Sequence, residues 1–311
     1  MSPALKRLLE DLLNSALPAW AIRRYARQRT LILGYHNVVP GSGSPTGDRS
    51  LHLSAPMFAH QLDLLATACD VVPLTTILAP TESARPRVAI TFDDAYRGAV
   101  TIGTAELAKR GLPATIFVAP AFVGGQAFWW DELTPPGAAA PVIDRAIALR
   151  ALQGKDHAVR EWARQRLVGS YPAREDQRVA TEEELRSAIR TGLVTLGSHS
   201  WSHPNLAALD EVELSGELSR PLEWLRSRFE GVVPWISYPY GCSSPHVERA
   251  ARALGYVAGL LIDGGWIRAP MRRPFALPRR NIPAGLSGPG FSLRAAAFER
   301  LAVIDSRRSS D

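Results

Sequence analysis

Two adjacent carboxylates, Asp93 and Asp94, end the apolar run VAITF within the stretch TFDDAYRGA. Like charges side by side repel, and burial next to such a run raises that cost. Two histidines four residues apart, His199 and His203, fall in GSHSWSHP after the run LVTLG. One carboxylate and two imidazoles suffice to hold a catalytic divalent cation with positions left open for water or substrate. A cation would also relieve the repulsion. One Asp stays ionised as its ligand, and the other is free to act as a base on the water that the cation activates. Each signal is weak alone: most HxxxH pairs are surface or core histidines, and Asp94 would serve equally as the cap of a helix beginning near Ala95.

Their shared position at strand ends is what joins these residues. Short β-rich runs occur at 31–35 (LILGY), 70–73, 88–92 (VAITF), 114–118 (ATIFV), 193–197 (LVTLG), 235–238 (WISY) and 256–262 (YVAGLLI). Helical patterns alternate with them, including 56–67 with Phe58, Leu62 and Leu65 on one face, and a helix closed by Gly111. About seven strands in this rhythm predict an α/β chain whose parallel sheet closes, or nearly closes, as a (β/α) barrel. Catalytic groups then come from the C-terminal strand ends. His36 follows the first run, Asp93 and Asp94 the third, His199 and His203 the fifth, and Tyr240 with Gly241 the sixth, in SYPYG.

Two helix boundaries are legible: Thr181 and Glu184 form a capping box, and Gly192 stands where a C′ glycine belongs. Pro221 is expected to kink or split the helical stretch 209–230, which Gly231 ends. Between Val118 and Thr181 the chain is far longer than the roughly 2–6 residues of an ordinary βα loop, so about 120–180 reads as a helical insertion over the barrel mouth. The domain proper is expected over 31–285, with a C-terminal tail at 286–311. Residues 1–30 are expected to form an amphipathic helix on the stripe Leu5, Leu8, Leu9, Leu12, Leu13 and Leu17. That helix either docks on the domain or, through residues 1–28, lies on anionic lipid.

A hydrophobic fraction of 46% with 21% charged residues excludes disorder as the main state. The net charge of +6 is mostly an N-terminal feature, since residues 1–30 hold Lys6, Arg7, Arg23, Arg24, Arg27 and Arg29 against Glu10 and Asp11. No basic aromatic pattern marks a nucleic-acid module. The two cysteines, Cys69 and Cys242, are far apart and lack any framework spacing, so nothing points to disulfide staples or thiolate zinc. With no signal peptide and no apolar window long enough to span a bilayer, a cytoplasmic protein is expected.

With these residues in view, the chain resembles the NodB-like polysaccharide deacetylases, carbohydrate esterase family 4. Thr91–Asp94 match the family's TFDD motif; His199, Ser200, His203 and Pro204 match its H[ST]xxHP motif; and Pro239–Gly241 match its PYG turn. The resemblance covers about residues 31–283 and implies a deformed (β/α) barrel that removes N-acetyl groups from an N-acetylated sugar or glycan. Carried over, Asp94, His199 and His203 are the metal ligands, Asp93 the general base and the Tyr240 backbone N–H an oxyanion donor. The expected cofactor is a divalent ion, zinc ahead of cobalt, nickel or iron.

Two parts of the family pattern are missing. Ser237 stands where many members have an arginine, and no histidine follows His246 to supply a late Leu-x-His acid. A subset resembling poly-N-acetylglucosamine deacetylases carries the acid on the first strand in a YH motif, which Tyr35 and His36 match, so His36 is assigned as general acid. Arg279 in ALPRRNIP resembles the LPR of that subset and is either the positive partner of Asp93 or a surface arginine. Trp129, Trp130 and Asp131 either form a sugar platform or pack the insertion. His52, His60, His157 and His246 are read as structural or surface, and Cys242 as a small buried hydrophobe. Two rival functions are a deacylase of another small N-acyl or O-acetyl compound and a catalytically weak glycan-binding scaffold.

Overall fold

A computed structural model of the chain describes residues 29–41, 47–79, 83, 85–135, 138, 143–268 and 271–296. The expected helix on Leu5–Leu17 lies outside the described residues, as does the tail from 297 onward. In chain order the elements are β1 (Arg29–Tyr35), β2 (Asn37–Val39), β3 (His52–Ser54), α1 (Ala55–Ala68), β4 (Asp70–Val71), β5 (Arg87–Phe92), α2 (Thr104–Ala108) and β6 (Ala114–Val118). There follow α3 (Trp129–Glu132), α4 (Asp156–Gln165), α5 (Glu182–Ile189), β7 (Val194–Ser198), α6 (Glu211–Arg228) and β8 (Val232–Ser237). The last are α7 (Pro245–Ala253), β9 (Ala258–Leu260), β10 (Ile267–Arg268), β11 (Arg280–Asn281) and α8 (Gly288–Ala296).

Strands β1, β5, β6, β7, β8 and β9 are parallel neighbours in that order. Leu277 bridges Leu260 in parallel, and β11 then pairs in parallel with Leu33 and Gly34 of β1, so the two edges of the sheet are joined. The result is a deformed (β/α) barrel with seven parallel strands. The membership differs from the sequence reading at one place. The expected strand at 70–73 is only the two-residue β4 beside the foot of β5, and β11 is the seventh staff. Two residues bracketed by Pro278 and Pro283 carry no readable periodicity.

Period-two alternation sorts each strand into an outer and an inner face. Leu31, Leu33, Val88, Ile90, Phe92 and Ile116 face outward under the helices, while Ile32, Ala89, Phe117, Trp235, Leu260 and Leu277 fill the barrel. Above the filled layer, inward positions become small or polar: Gly34, Thr91, Gly197, Ser237 and Arg279. A glycine there makes room, since a Cβ on Gly197 would lie 2.5 Å from the Phe117 ring. The uppermost inward positions are His36, Asp93, His199, Ile262 and Asn281, and all five line the cavity at the mouth.

The capping box at Thr181 and Glu184 is formed, and Gly192 takes φ 72°. Pro221 does not split its helix: α6 runs unbroken from Glu211 to Arg228. A helix-interior proline orphans the carbonyl four residues earlier. Here that carbonyl, on Glu217, accepts the Trp201 N–H at 3.1 Å. The insertion lies over the mouth, where Trp129, Trp130, Asp144, Arg145 and Leu149 line the cavity. Within the stretch read as tail, α8 buries Phe291 in the outer core. No helix of the described residues is long and apolar enough to cross a membrane.

Candidate active site

Six strand ends converge on a cavity of about 620 Å³ whose floor holds Asp93, Asp94, His199 and His203. Asp94 Oδ1 lies 3.5 Å from His199 Nε2 and 3.3 Å from His203 Nε2, and the two Nε2 atoms are 3.2 Å apart. All three residues are buried, and Asp94 Oδ1 has no hydrogen-bond partner among the described residues. Three converging ligand atoms, one of them an orphaned carboxylate oxygen, fit a small divalent cation. His199 Nδ1–H donates to the Ser237 carbonyl at 2.7 Å, which fixes the ring and turns Nε2 toward that point. Burial and the adjacent His199 push His203 down to about 3, so its lone pair is free.

Asp94 is not a helix cap. It takes φ 70°, and Ser200, His203 and Tyr240 are likewise left-handed at 62°, 59° and 59°. Side chains with a Cβ avoid this region, so three such residues lining one cavity, with Ser200 in the loop between the histidines, mark a site held against local preference. Glu217 on α6 supplies much of the restraint on the histidine loop. Its carboxylate accepts the N–H groups of Trp201 and Ser202 at 2.9 and 2.8 Å and the Ser202 hydroxyl at 2.6 Å. Sequence reading missed Glu217, because nothing in ELSGELSRP distinguishes it from a solvated helix residue.

Asp93 faces a different partner. The fully buried Arg279 donates from Nη1 and Nη2 to its two oxygens at 2.8 and 2.6 Å. The same guanidinium donates to Ser237 Oγ at 2.9 Å, and its Nε donates to the Leu261 carbonyl at 2.6 Å. Arg279 is therefore not a surface residue. Its charge stands beside Ser237, the position where the sequence lacks the family's arginine. Burial opposes ionisation of Asp93, but Arg279 and His199 outweigh it and hold the carboxyl well below the usual range.

His36 directly follows β1 and lines the same cavity, where burial lowers its pKa against the raising influence of Asp94 and Asp93. Tyr240 sits in the left-handed turn after β8, its ring 4.6 Å from that of His203 and its hydroxyl donating to the Gly154 carbonyl at 3.1 Å. Trp129 and Trp130 line the cavity but are almost wholly buried, and Trp130 stacks on Phe128 at 4.4 Å while its ring lies 5.1 Å from His203. Asp131 faces away into a buried network. It accepts the Tyr96 hydroxyl at 2.6 Å and the His52 Nε2–H at 3.0 Å, while Asn37 donates to His52 Nδ1 at 3.1 Å. Trp130 Nε1–H donates to the Tyr96 hydroxyl at 2.8 Å, which ties the insertion to the loop carrying Asp94. Both cysteines are free.

The sequence profile of the polysaccharide deacetylase family matches residues 81–259, a span that excludes His36 and Arg279. Among solved structures, the Streptococcus pyogenes deacetylase PplD, determined with acetate, superposes with a TM-score of 0.60 at 16% identity over 86% of this chain and 98% of that one. IcaB from Ammonifex degensii gives 0.60 at 17% over 87% and 98%, and the BpsB deacetylase domain from Bordetella bronchiseptica gives 0.53 at 18% over 82% and 96%. At these identities the likeness is one of fold. No curated protein matches by sequence. The family profile covers more than half of the chain and the TFDD and HSxxHP residues form one site, so the chain belongs to the polysaccharide deacetylase family, hydrolases that act on N-acetyl amide bonds.

Proposed function

We propose that the protein is a metal-dependent N-deacetylase of an N-acetylated sugar or glycan, with Asp94 Oδ1, His199 Nε2 and His203 Nε2 holding the ion. The division of labour between the adjacent carboxylates carries this reading: Asp94 faces two imidazoles, and Asp93 is clamped by Arg279. A divalent cation, when bound, would polarise the acyl oxygen and acidify water. Asp93, ionised throughout the physiological range, takes the proton from the attacking water. Arg279 fixes its rotamer. The Tyr240 backbone N–H, in its left-handed turn, stabilises the oxyanion as it forms. His36 protonates the departing amine, a role its place at the end of β1 in the same cavity supports.

The scaffold alternative rests on Ser237 in place of an arginine and on the missing late histidine; Arg279, bonded to Ser237 Oγ, and His36, lining the cavity, support the enzyme reading against it. We place the ion as zinc and the protein in the cytoplasm, with the basic leucine-striped residues 1–28 against the membrane. Co-sedimentation with anionic vesicles that persists after residues 1–28 are removed would refute that contact. The chemistry is tested by acetate release from N-acetylglucosamine oligomers with metal-stripped protein reloaded with zinc, cobalt, nickel or iron. Release restored by reloading is expected, and no release with any ion overturns the proposal.

A further inference from the structure

The uppermost layer of the barrel holds one polar residue that the chemistry above does not use. Asn281 ends β11, with Gly34 of β1 as its register partner. Arg279, two residues earlier, points into the barrel onto Thr91, Asp93 and Ser237. Strand alternation therefore turns Asn281 to the same interior, one layer nearer the mouth. It lines the cavity with His36, Asp93 and His199. Its Oδ1 is buried and has no hydrogen-bond partner among the described residues. Such an acceptor is costly to leave unpaired. The other orphaned oxygen on this cavity, Asp94 Oδ1, is explained by the cation; Asn281 Oδ1 is not.

We infer that Asn281 Oδ1 accepts a hydrogen bond from the N–H of the scissile acetamido group and so selects N-acetyl over O-acetyl substrates. The inference rests on the deacetylase reading. Every other group assigned a role there handles the acyl carbon, its oxygen, the water or the departing atom, and these are common to amide and ester. An acceptor separates the two, because an amide nitrogen carries a hydrogen while an ester oxygen would set lone pair against lone pair. The strand order agrees, since β11 lies beside β1, which carries the proposed proton donor for that nitrogen, His36.

A matched pair of glucosides tests this, one with a 2-acetamido group and one with a 2-O-acetyl group. The metal-loaded wild type is compared with Asn281→Ala and with Asn281→Asp, which keeps an acceptor in the same place. Asn281→Ala should lower the amide-to-ester ratio of kcat/KM by about tenfold or more, the worth of one buried hydrogen bond. Asn281→Asp should hold the ratio within about threefold of wild type. A ratio unmoved in Asn281→Ala, whether both rates fall together or neither falls, overturns the inference. Failure of the wild type to cleave the amide at all is a different result, and removes the deacetylase reading itself.

Discussion

Burial would force one of two adjacent carboxylates to take up a proton unless each met positive charge of its own. Asp93 meets Arg279, whose two parallel hydrogen bonds fix its rotamer as well as its charge. Because folded Asp93 titrates below its unfolded value, its ionised form stabilises the fold at every pH above the ordinary carboxylate range. That contribution is lost as pH falls through the folded value. Replacing Arg279 by Gln removes the opposing charge and leaves burial to dominate. The pKa of Asp93 should then rise, moving the acid limb of the kcat/KM profile to higher pH, and urea unfolding should show a loss of about 3–5 kcal/mol. The sequence made Asp93, Asp94, His199 and His203 legible because their motifs are local. It left Arg279 ambiguous because a bidentate pair across the barrel joins residues far apart in the chain, and it hid Asn281 in a strand of two residues.

Elements position these side chains through backbone groups that need partners. The loop between His199 and His203 contains left-handed residues, and Glu217 pins it through three hydrogen bonds from a neighbouring helix. Glu217→Ala should leave the helix intact and weaken zinc binding by about 10–100-fold, as loss of a group that orients ligands does; competition with a chromophoric chelator would measure this. Strands with runs of apolar residues, such as ATIFV, were readable because burial on both faces leaves a continuous apolar signature. The helix does not split at Pro221; proline reports only what the helix loses. The Trp201 N–H that satisfies the freed carbonyl comes from a distant loop, and local sequence does not show it.

At the scale of the molecule, the insertion and the barrel form one folded unit around the cavity, joined by the buried Asn37–His52–Asp131–Tyr96–Trp130 chain. Tyr96→Phe strips partners from Asp131 and Trp130, and chemical denaturation should register about 1–3 kcal/mol of lost stability. The length of the insertion announced it in the sequence. That it turns polar groups inward did not, because His52 and Asp131 belong to segments with no shared pattern. The proposed catalysis depends on Asp93 and Asp94 having separate duties at one site. Its most direct test is acetate release from N-acetylglucosamine oligomers by zinc-loaded wild type and Asp93→Asn, with bound metal measured on the same samples. The variant should keep its metal and lose about 10²-fold or more in kcat, the worth of a general base. An Asp93→Asn protein that binds zinc and turns over at the wild-type rate would contradict it.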